Sequence, residues 1–492
     1  MSDKTIHQPM QIRWSARSLC CISLTLLILL TGGFFTVTAQ SGDGDRPPNI
    51  ILFHVDDLGW KDTGSFGSDL YQTPNIDRLA KNGTKFTNAY AAATVCSPTR
   101  GALMTGMYPA RTNLTDWIPG HRFGKKKLLP PDWTKRLKHD HTTIAEALKQ
   151  AGYATAHVGK WHLAPTESDD TEEYYPTDHG FDVNFGGNHM GQPPSYYYPY
   201  SDGNEDQRDI IEHLPDGRKT YLTRRLTDHA IQFIEKHWNE PFFINFAYYN
   251  VHYPYQPRKT MADKYHKMNR RGKQHQNPRY AGMVQSVDYS VGRILNILRT
   301  FNIDENTLIV FAGDNGGTGA TSMKPLRNGK GSPYEGGVRV PWIMSWPGVT
   351  EPGTTSDEPV ITMDLYPTFL EAAGAEGDAE HNKNVDGLSL VPLMKNPDAS
   401  LDREAIYFHY PHYHPGGATP YSSLRKGKWK FYHFYEDDHV ELYNLQEDIG
   451  EEKDLSSKKP EKVKQLRNDL EQWRENVNAQ PPRKNPDYEG GN

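Results

Sequence analysis

The stretch NIILFHVDD, residues 49–57, carries five apolar residues in its first seven positions without alternation and stops at two aspartates. A strand wetted on one face alternates apolar and polar residues, whereas a strand covered on both faces reads as a nearly continuous apolar run. The stretch therefore predicts a strand inside a parallel sheet. Three more runs of the same kind follow, each after a segment with apolar residues at helical spacing. TIAEALKQAGY precedes ATAHVGKWH (154–162), LTDHAIQFIEKHW precedes PFFINFAYYNVHYP (241–254), and YAGMVQSVDYSVGRILNILRTF precedes NTLIVFAGDNGG (306–317). Helix and strand alternating in this way predict an α/β fold with a mainly parallel central sheet flanked by helices.

The residues at the ends of these runs carry the chemistry. The first run ends at Asp56-Asp57, the second at Lys160-Trp161-His162, the third at Asn250-Val251-His252 and the fourth at Asp314-Asn315. Open α/β sheets bind ligands beyond the carboxyl ends of their strands, so four such ends predict one shared pocket. Asp56, Asp57, Asp314 and Asn315 offer only oxygen, which suits a hard divalent cation, Ca²⁺ or Mg²⁺, and not zinc. An adjacent Asp pair by itself equally well caps a helix or turns the chain. The second acid–amide pair after another buried strand favours the metal. His54 reads as a support for the neighbouring strand and not as a ligand.

The chain has 492 residues and a formal net charge of −6, so it lacks the basic footprint of a nucleic-acid binder. Residues 1–39 read as a secretory signal peptide, with Arg13 and Arg17, an apolar run, and small residues at Val37 and Ala39 before cleavage. Threonines and paired glycines shorten the apolar part below the roughly 20 residues a membrane span needs. The expectation is export, to the periplasm or beyond, with no stable membrane insertion after cleavage. Cleavage removes Cys20 and Cys21 and leaves Cys96 alone. An unpaired cysteine in an exported protein points to a partner, a reactive site or a modification. Residues 40–47 read as a linker, 48–376 as the large region, 385–476 as a smaller C-terminal region, and 477–492 as a disordered tail.

Cys96 opens CSPTRGALMTGMYP, a Cys-x-Pro-x-Arg arrangement over residues 96–100. With HVDDLGW, TPNIDRLAKNGTKFTNAY, HVGKWHL, GDNGG and GKGSPYEGGVRVP it resembles the type I sulfatases of the alkaline phosphatase superfamily over most of residues 48–345. The resemblance implies an alkaline-phosphatase-like large domain with a small C-terminal α+β subdomain built on an antiparallel sheet. It implies a sulfuric ester hydrolase in which Cys96 is converted by a formylglycine-generating maturation enzyme to formylglycine (3-oxoalanine), whose hydrate is the nucleophile. Carried across, Asp56, Asp57, Asp314 and Asn315, with an oxygen of modified Cys96, hold one Ca²⁺, Mg²⁺ being the alternative. Arg100 and Lys160 steady the hydrate, His162 takes its proton, His252 protonates the leaving alcohol and Lys330 grips a sulfate oxygen. Lys160, His252 and Lys330 thereby also contact substrate.

The same set makes chemical sense from below. A sulfate monoester is anionic and has a poor alkoxide leaving group, so its hydrolysis needs positive charge around the sulfuryl oxygens and a proton for the departing oxygen. A diol nucleophile adds a way out, because its second hydroxyl can collapse to the aldehyde and expel sulfate by C–O cleavage.

Pro165 to Lys219 is long and rich in Tyr, Pro and Gly, and long insertions in compact domains tend to be functional. His179 and His189 within it are candidate ligands for hydroxyls or sulfate, with a loop covering the sheet edge as the equal alternative. His409, His412 and His414 in the C-terminal region are candidates to reach the cleft; a zinc site there is disfavoured because no cysteine accompanies them. The expected substrate is a sulfated carbohydrate, by exo-removal of O-sulfate from galactose or N-acetylgalactosamine, O4 being the position favoured. Two alternatives stand beside it: a phosphate or phosphonate monoester hydrolase of the same superfamily, and an inert calcium-dependent glycan-binding protein.

Overall fold

The computed structural model describes residues 46–121, 124–166, 170–201 and 220–488. The signal peptide read at 1–39, most of the linker at 40–47, and parts of the 165–219 insertion lie outside the described residues. Among the described residues no helix is long and apolar enough to cross a membrane.

The central sheet has eight strands in the order Thr354–Ser356, Thr84–Phe86, Trp342–Ser345, Thr307–Gly313, Asn49–Val55, Phe242–Tyr248, Ala154–Gly159, Val183–Phe185. Only Trp342–Ser345 runs antiparallel to its neighbours. Asn49–Val55 lies in the middle, parallel to the strands on both sides. Successive side chains of a strand point to opposite faces, and here both faces are covered. Ile51, Phe53 and Val55 enter one apolar core, which also holds Leu226 and Phe233 of helix Leu222–His237 and Val284, Val287 and Val291 of helix Pro278–Thr300. Ile50 and Leu52 enter the other, with Leu148 of helix Ile144–Gln150 and Phe369 of helix Leu365–Ala373. Hence the run without alternation. Helix Ile144–Gln150 starts on a capping box, in which Glu146 N donates to Thr143 Oγ1 (3.2 Å) and Thr143 N donates to Glu146 Oε2 (2.6 Å).

The C-terminal region forms a four-stranded antiparallel meander, Ile406–Tyr410, Tyr421–Lys426, Trp429–Phe434 and Val440–Asn444, covered by helix Pro460–Asn476. Its core is shared with the large region, since Phe408, Tyr410 and Phe431 pack in one cluster with Tyr90, Val95 and Ala102. A buried ionic group lies within the same contact. Lys430 Nζ sits 3.3 Å from Glu335 Oε1, and Tyr90 OH donates to Glu335 Oε2 at 2.7 Å. The sheet is thus anchored to residues just before and within helix Cys96–Thr105.

The tail departs from expectation. Residues 477–492 have the polar, proline-bearing composition of a disordered segment, yet Arg483–Lys484 pairs antiparallel with Leu128–Leu129. Asn485 N donates to Lys127 O (3.1 Å), and Val477 is buried against the helix core. Backbone pairing with an exposed strand edge needs no apolar side chains, so composition does not reveal it.

Candidate functional site

The sheet register brings the strand ends together. Val55 pairs with both Tyr248 and Gly313, and Gly159 pairs with Ala247, so Asp56, Asp314 and Lys160 emerge side by side. The ends are then cross-tied: Asp314 N donates to Val55 O (3.1 Å), Asp56 N to Asn250 O (2.9 Å) and Lys160 N to Ala247 O (2.8 Å). Asp57 takes a left-handed backbone conformation, φ 59°, which costs a non-glycine residue about 1–2 kcal/mol. It is held there by Tyr280, whose hydroxyl donates to Asp57 O (2.9 Å), and by its own N–H, which donates to Asp314 Oδ1 (3.1 Å).

Cys96 is the first residue of helix Cys96–Thr105. The residues between it and Arg100 build its seat. Thr99 Oγ1 accepts from Ala93 N (3.1 Å), and Ser97 Oγ accepts from Ile118 N (3.1 Å), fastening the loops on either side. One turn on, Arg100 reaches inward, donating to Asp314 Oδ2 from Nη2 (2.8 Å) and Nε (3.2 Å) and to Lys160 O from Nη1 (2.8 Å). Lys160 Nζ pairs with Asp56 Oδ2 (2.7 Å), and Lys330 Nζ with Asp57 Oδ1 (2.6 Å). Asn315 Nδ2 donates to the same Asp57 oxygen (2.8 Å).

This donor set fits a hard divalent cation. Asp56 Oδ1 and Asn315 Oδ1 are buried without any hydrogen-bond partner among the described residues, although buried polar atoms are nearly always satisfied. Atoms of Asp56, Cys96 and Asp314 lie within 4.8 Å of one another. Burial and the neighbouring Asp314 raise the Asp56 pKa well above the carboxylate range, the strain of packing like charges where water cannot screen them. Every donor but the sulfur is oxygen.

His162 also has a left-handed backbone (φ 61°), and its hydrogen bonds define its tautomer. Nε2 lies 2.6 Å from Ile118 O, a carbonyl that only accepts, so Nε2 carries the proton. Nδ1, with its lone pair, then faces Cys96 Sγ at 3.4 Å. Burial and the charges of Lys160 and Arg100 hold its pKa well below the usual range for histidine. His252 is arranged the other way. Nδ1 donates to Tyr253 O (2.9 Å), and Nε2 faces Asp57 Oδ2 at 3.5 Å, with burial and Lys330 lowering its pKa to about 3. The Cys96 thiol is pushed up by burial, the opposite of what a thiolate nucleophile needs. His54, read as a strand support, is buried, with its pKa lowered to about 3 by burial and Arg100.

Cys96, His162, His252 and Lys330 line a cavity of about 400 Å³. His189 and His414 line it as well. His179 does not. It is fully buried in a ring stack, 4.6 Å from His139 and 5.6 Å from Trp161, because the turn Pro176–His179 tucks it beneath the sheet end. His409 and His412 are also turned away, bonded to Ser422 (2.8 Å) and Thr115 (2.9 Å). Trp117 and His121, within the stretch ARTNLTDWIPGHR whose likeness to carbohydrate sulfatases was read as a whole, and Gln192 line the same cavity from loops without periodicity, and none of the three was singled out from sequence. Neither was Gly191, where a Cβ would lie 2.6 Å from His162 Cε1. Gly191→Ala is therefore expected to displace the His162 ring and lower kcat by roughly 10²-fold, the penalty of about 1 Å of misplacement, with a smaller effect on KM in steady-state assays.

Asp116 was not singled out from sequence either. It is 2 % exposed, and burial pushes its pKa up to about 7 although Tyr410 OH (2.6 Å) and Trp117 N (2.9 Å) donate to Oδ1. Between an unfolded value near 3.8 and the folded value, the native state holds a proton that the unfolded chain has released. Stability from this residue is therefore lost as pH rises from about 4 to about 7, by up to roughly 4 kcal/mol. In Asp116→Asn, which keeps an acceptor for Tyr410, urea midpoints measured across that window are expected to fall less steeply than in the parent chain.

Comparison with known proteins gives a consistent result. The Sulfatase family model matches residues 48–375, and that of the N-sulphoglucosamine sulphohydrolase C-terminal region matches residues 329–478. A sulfatase of Formosa agariphila is 31% identical over 89% of each chain. The N-acetylgalactosamine-6-sulfatase of Sus scrofa is 34% identical over 75% of this chain and 69% of its own. Among solved structures, that of Ps i-CgsB superposes with a TM-score of 0.71 at 32% identity, covering 87% of this chain and 93% of its own. The same protein has been solved in complex with k-i-k-neocarrahexaose, with a TM-score of 0.70.

Proposed function

Because this chain belongs to the type I sulfatase family and is a sulfuric ester hydrolase, we propose that it removes O-sulfate from galactose- or N-acetylgalactosamine-type units of a sulfated polysaccharide. The observation that carries the reading is Cys96, the one cysteine among the described residues, facing the His162 lone pair inside a ring of Arg100, Lys160 and Lys330. The substrate class is supported by the relatives, one an N-acetylgalactosamine-6-sulfatase and one a protein crystallised with a neocarrahexaose. Export, read from residues 1–39, suits a polymeric substrate.

Asp56, Asp57, Asp314 and Asn315 would hold Ca²⁺, and residue 96 would be formylglycine, made by a separate maturation enzyme. Together these groups supply an aldehyde-derived hydroxyl and a fixed positive charge beside the sulfuryl oxygens. The chain's own residues do the rest. Lys330 and Lys160 present ammonium groups to an anion above Cys96, and Arg100 holds Asp314 and the Lys160 backbone so that this charge stays in place. His162 Nδ1 is oriented to take a proton at residue 96. His252 Nε2 faces the cleft to deliver a proton to the leaving oxygen, and a bound anionic ester offsets the effect of Lys330 that keeps it neutral at rest.

Sulfate release from sulfated galactan and chondroitin oligosaccharides is expected to exceed release from p-nitrophenyl sulfate, and to exceed phosphate release from matched phosphomonoesters. Chelation should abolish it, and Ca²⁺ should restore it better than Mg²⁺. Faster phosphate release, or equal rates on glycan and aryl sulfates, would overturn the assignment.

A further inference from the structure

Asp57 keeps its left-handed backbone with the help of Tyr280, and Tyr280 is the inner end of a buried polar chain that the reaction above does not use. Its hydroxyl has one proton and two acceptors, Asp57 O at 2.9 Å and Asp62 Oδ2 at 2.5 Å. Asp62 is fully buried. Its Oδ2 also accepts from Gly59 N (2.7 Å), and its Oδ1 accepts from Thr321 Oγ1 (2.5 Å). Gly59 allows this close approach, since a Cβ there would lie 2.6 Å from Asp62 Oδ2. Behind Asp62 stands His275, 1 % exposed and set between two carboxylates. Its Nδ1 lies 2.7 Å from Asp69 Oδ1, and its Nε2 lies 3.4 Å from Asp62 Oδ1.

A carboxylate only accepts, so a ring nitrogen that faces one carries a proton. His275 faces one on each side and is therefore an imidazolium. Burial opposes the charge, but Asp62 and Asp69 outweigh it and raise the His275 pKa above the ordinary histidine value. Of the other titratable neighbours, Tyr71, with its ring centroid 4.7 Å away, and Tyr280 beyond it stay neutral, because burial and Asp62 raise their pKa values. Lys273, on the same loop as His275, donates to Asp69 O. The imidazolium decides how the Tyr280 proton is shared. A buried carboxylate without a counter-charge draws that proton to itself, whereas one paired with a cation competes less and leaves it to Asp57 O. We propose that His275, in its imidazolium form, is a positioning residue: through Asp62 it keeps the Tyr280 hydroxyl on the Asp57 carbonyl and so fixes the Asp57 carboxylate for the cation. The inference rests on the cation reading above and deepens it, because a loop residue that touches no reacting atom then governs how well the site holds its metal. The charge on His275 is lost as pH rises through its raised pKa, so the clamp is intact at pH 6.5 and below and loosens above that pKa.

The test titrates Ca²⁺ alone into the chelator-stripped full chain by calorimetry. His275→Gln is expected to weaken binding roughly tenfold, the low end of the effect of a group standing behind a metal ligand. Tyr280→Phe should do the same, and the double variant should lose little more, because both act on one hydroxyl. His275→Lys keeps a cation beside Asp62, so it should recover most of the affinity and hold it to a higher pH than the parent. The parent's affinity should decline as pH climbs through the His275 pKa, and that decline should vanish in His275→Gln. A His275→Gln chain with a lowered thermal midpoint but unchanged affinity marks a merely structural residue and overturns the proposal. Additive losses in the double variant, or no recovery in His275→Lys, overturn it as well. If His275→Gln does not fold, Asp69→Asn, at a side chain 36% exposed, takes its place. Binding roughly threefold weaker is then expected, the weight of a partly exposed charge pair, and unchanged binding refutes the proposal. If the parent chain binds no divalent cation, the cation reading fails, and a crystal structure of His275→Gln, or of Asp69→Asn in its stead, decides the clamp alone. Asp57 still at φ 59° with the Tyr280 hydroxyl still on its carbonyl refutes it.

Discussion

Cys96→Ser is expected to reduce sulfate release by a factor on the order of 10³ or more while leaving the thermal midpoint within a few degrees of the parent. The fold has little stake in the sulfur. Cys96 is 3 % exposed, its Sγ has one weak polar neighbour in His162 at 3.4 Å, and the loops around it are held by Thr99 and Ser97. The proposed chemistry has everything at stake there, since a serine in the same rotamer keeps a hydroxyl but does not offer the thiol from which the proposed aldehyde would be made. In active protein the peptide containing residue 96 should be about 18 Da lighter than the unmodified cysteine peptide, the difference between CH₂SH and CHO. Full activity with an intact thiol at residue 96, or with serine in its place, would refute the nucleophile assignment.

Asp314→Ala should damage stability and activity together. Asp314 is fully buried and ionised, its pKa driven below the carboxylate range by Arg100 and Lys160 against the cost of burial. Removing it strands the Arg100 guanidinium, which is itself buried, without the partner of its Nε and Nη2. Breaking one side of a buried ion pair costs about 3–5 kcal/mol, which a urea titration reads as a large fall in midpoint. The same substitution removes an oxygen from the candidate cation set, so kcat/KM should fall at least ~10³-fold and the residual rate should no longer respond to chelator. Asp314→Asn separates the two effects. An amide oxygen still accepts from Arg100, so part of the stability returns, whereas the lost negative charge leaves activity low. An Asp314→Ala chain within about 0.5 kcal/mol of the parent would show that the carboxylate is not the counter-charge described.

The agreement between pattern and structure has a specific cause. Asn49–Val55 and Thr307–Gly313 are sandwiched between two cores, so burial on both faces writes itself into composition, and the polar residues that end each run mark where the sheet meets solvent. Asp56, Asp57, Lys160, His252, Asp314 and Asn315 were legible for that reason. His189 and Lys330 came from loops, the first by composition and the second through the resemblance. His179 reads the same as His189 in sequence, but a proline-led turn buries it beneath the sheet end beside Trp161. The contact of Asp116 with Tyr410 and His412 was invisible, because these residues have no common period and meet only when the C-terminal sheet docks.

By itself, the sequence determined the α/β class, the oxygen-rich strand ends and the one cysteine downstream of residue 39, because these depend on local patterning and on residue chemistry. The tertiary structure alone decided which histidines enter the cleft, which imidazole nitrogen faces Cys96 and where the tail pairs. Those depend on contacts between residues far apart in the chain, such as Ile118 with His162 and Asp116 with Tyr410 and His412, and no local pattern encodes them.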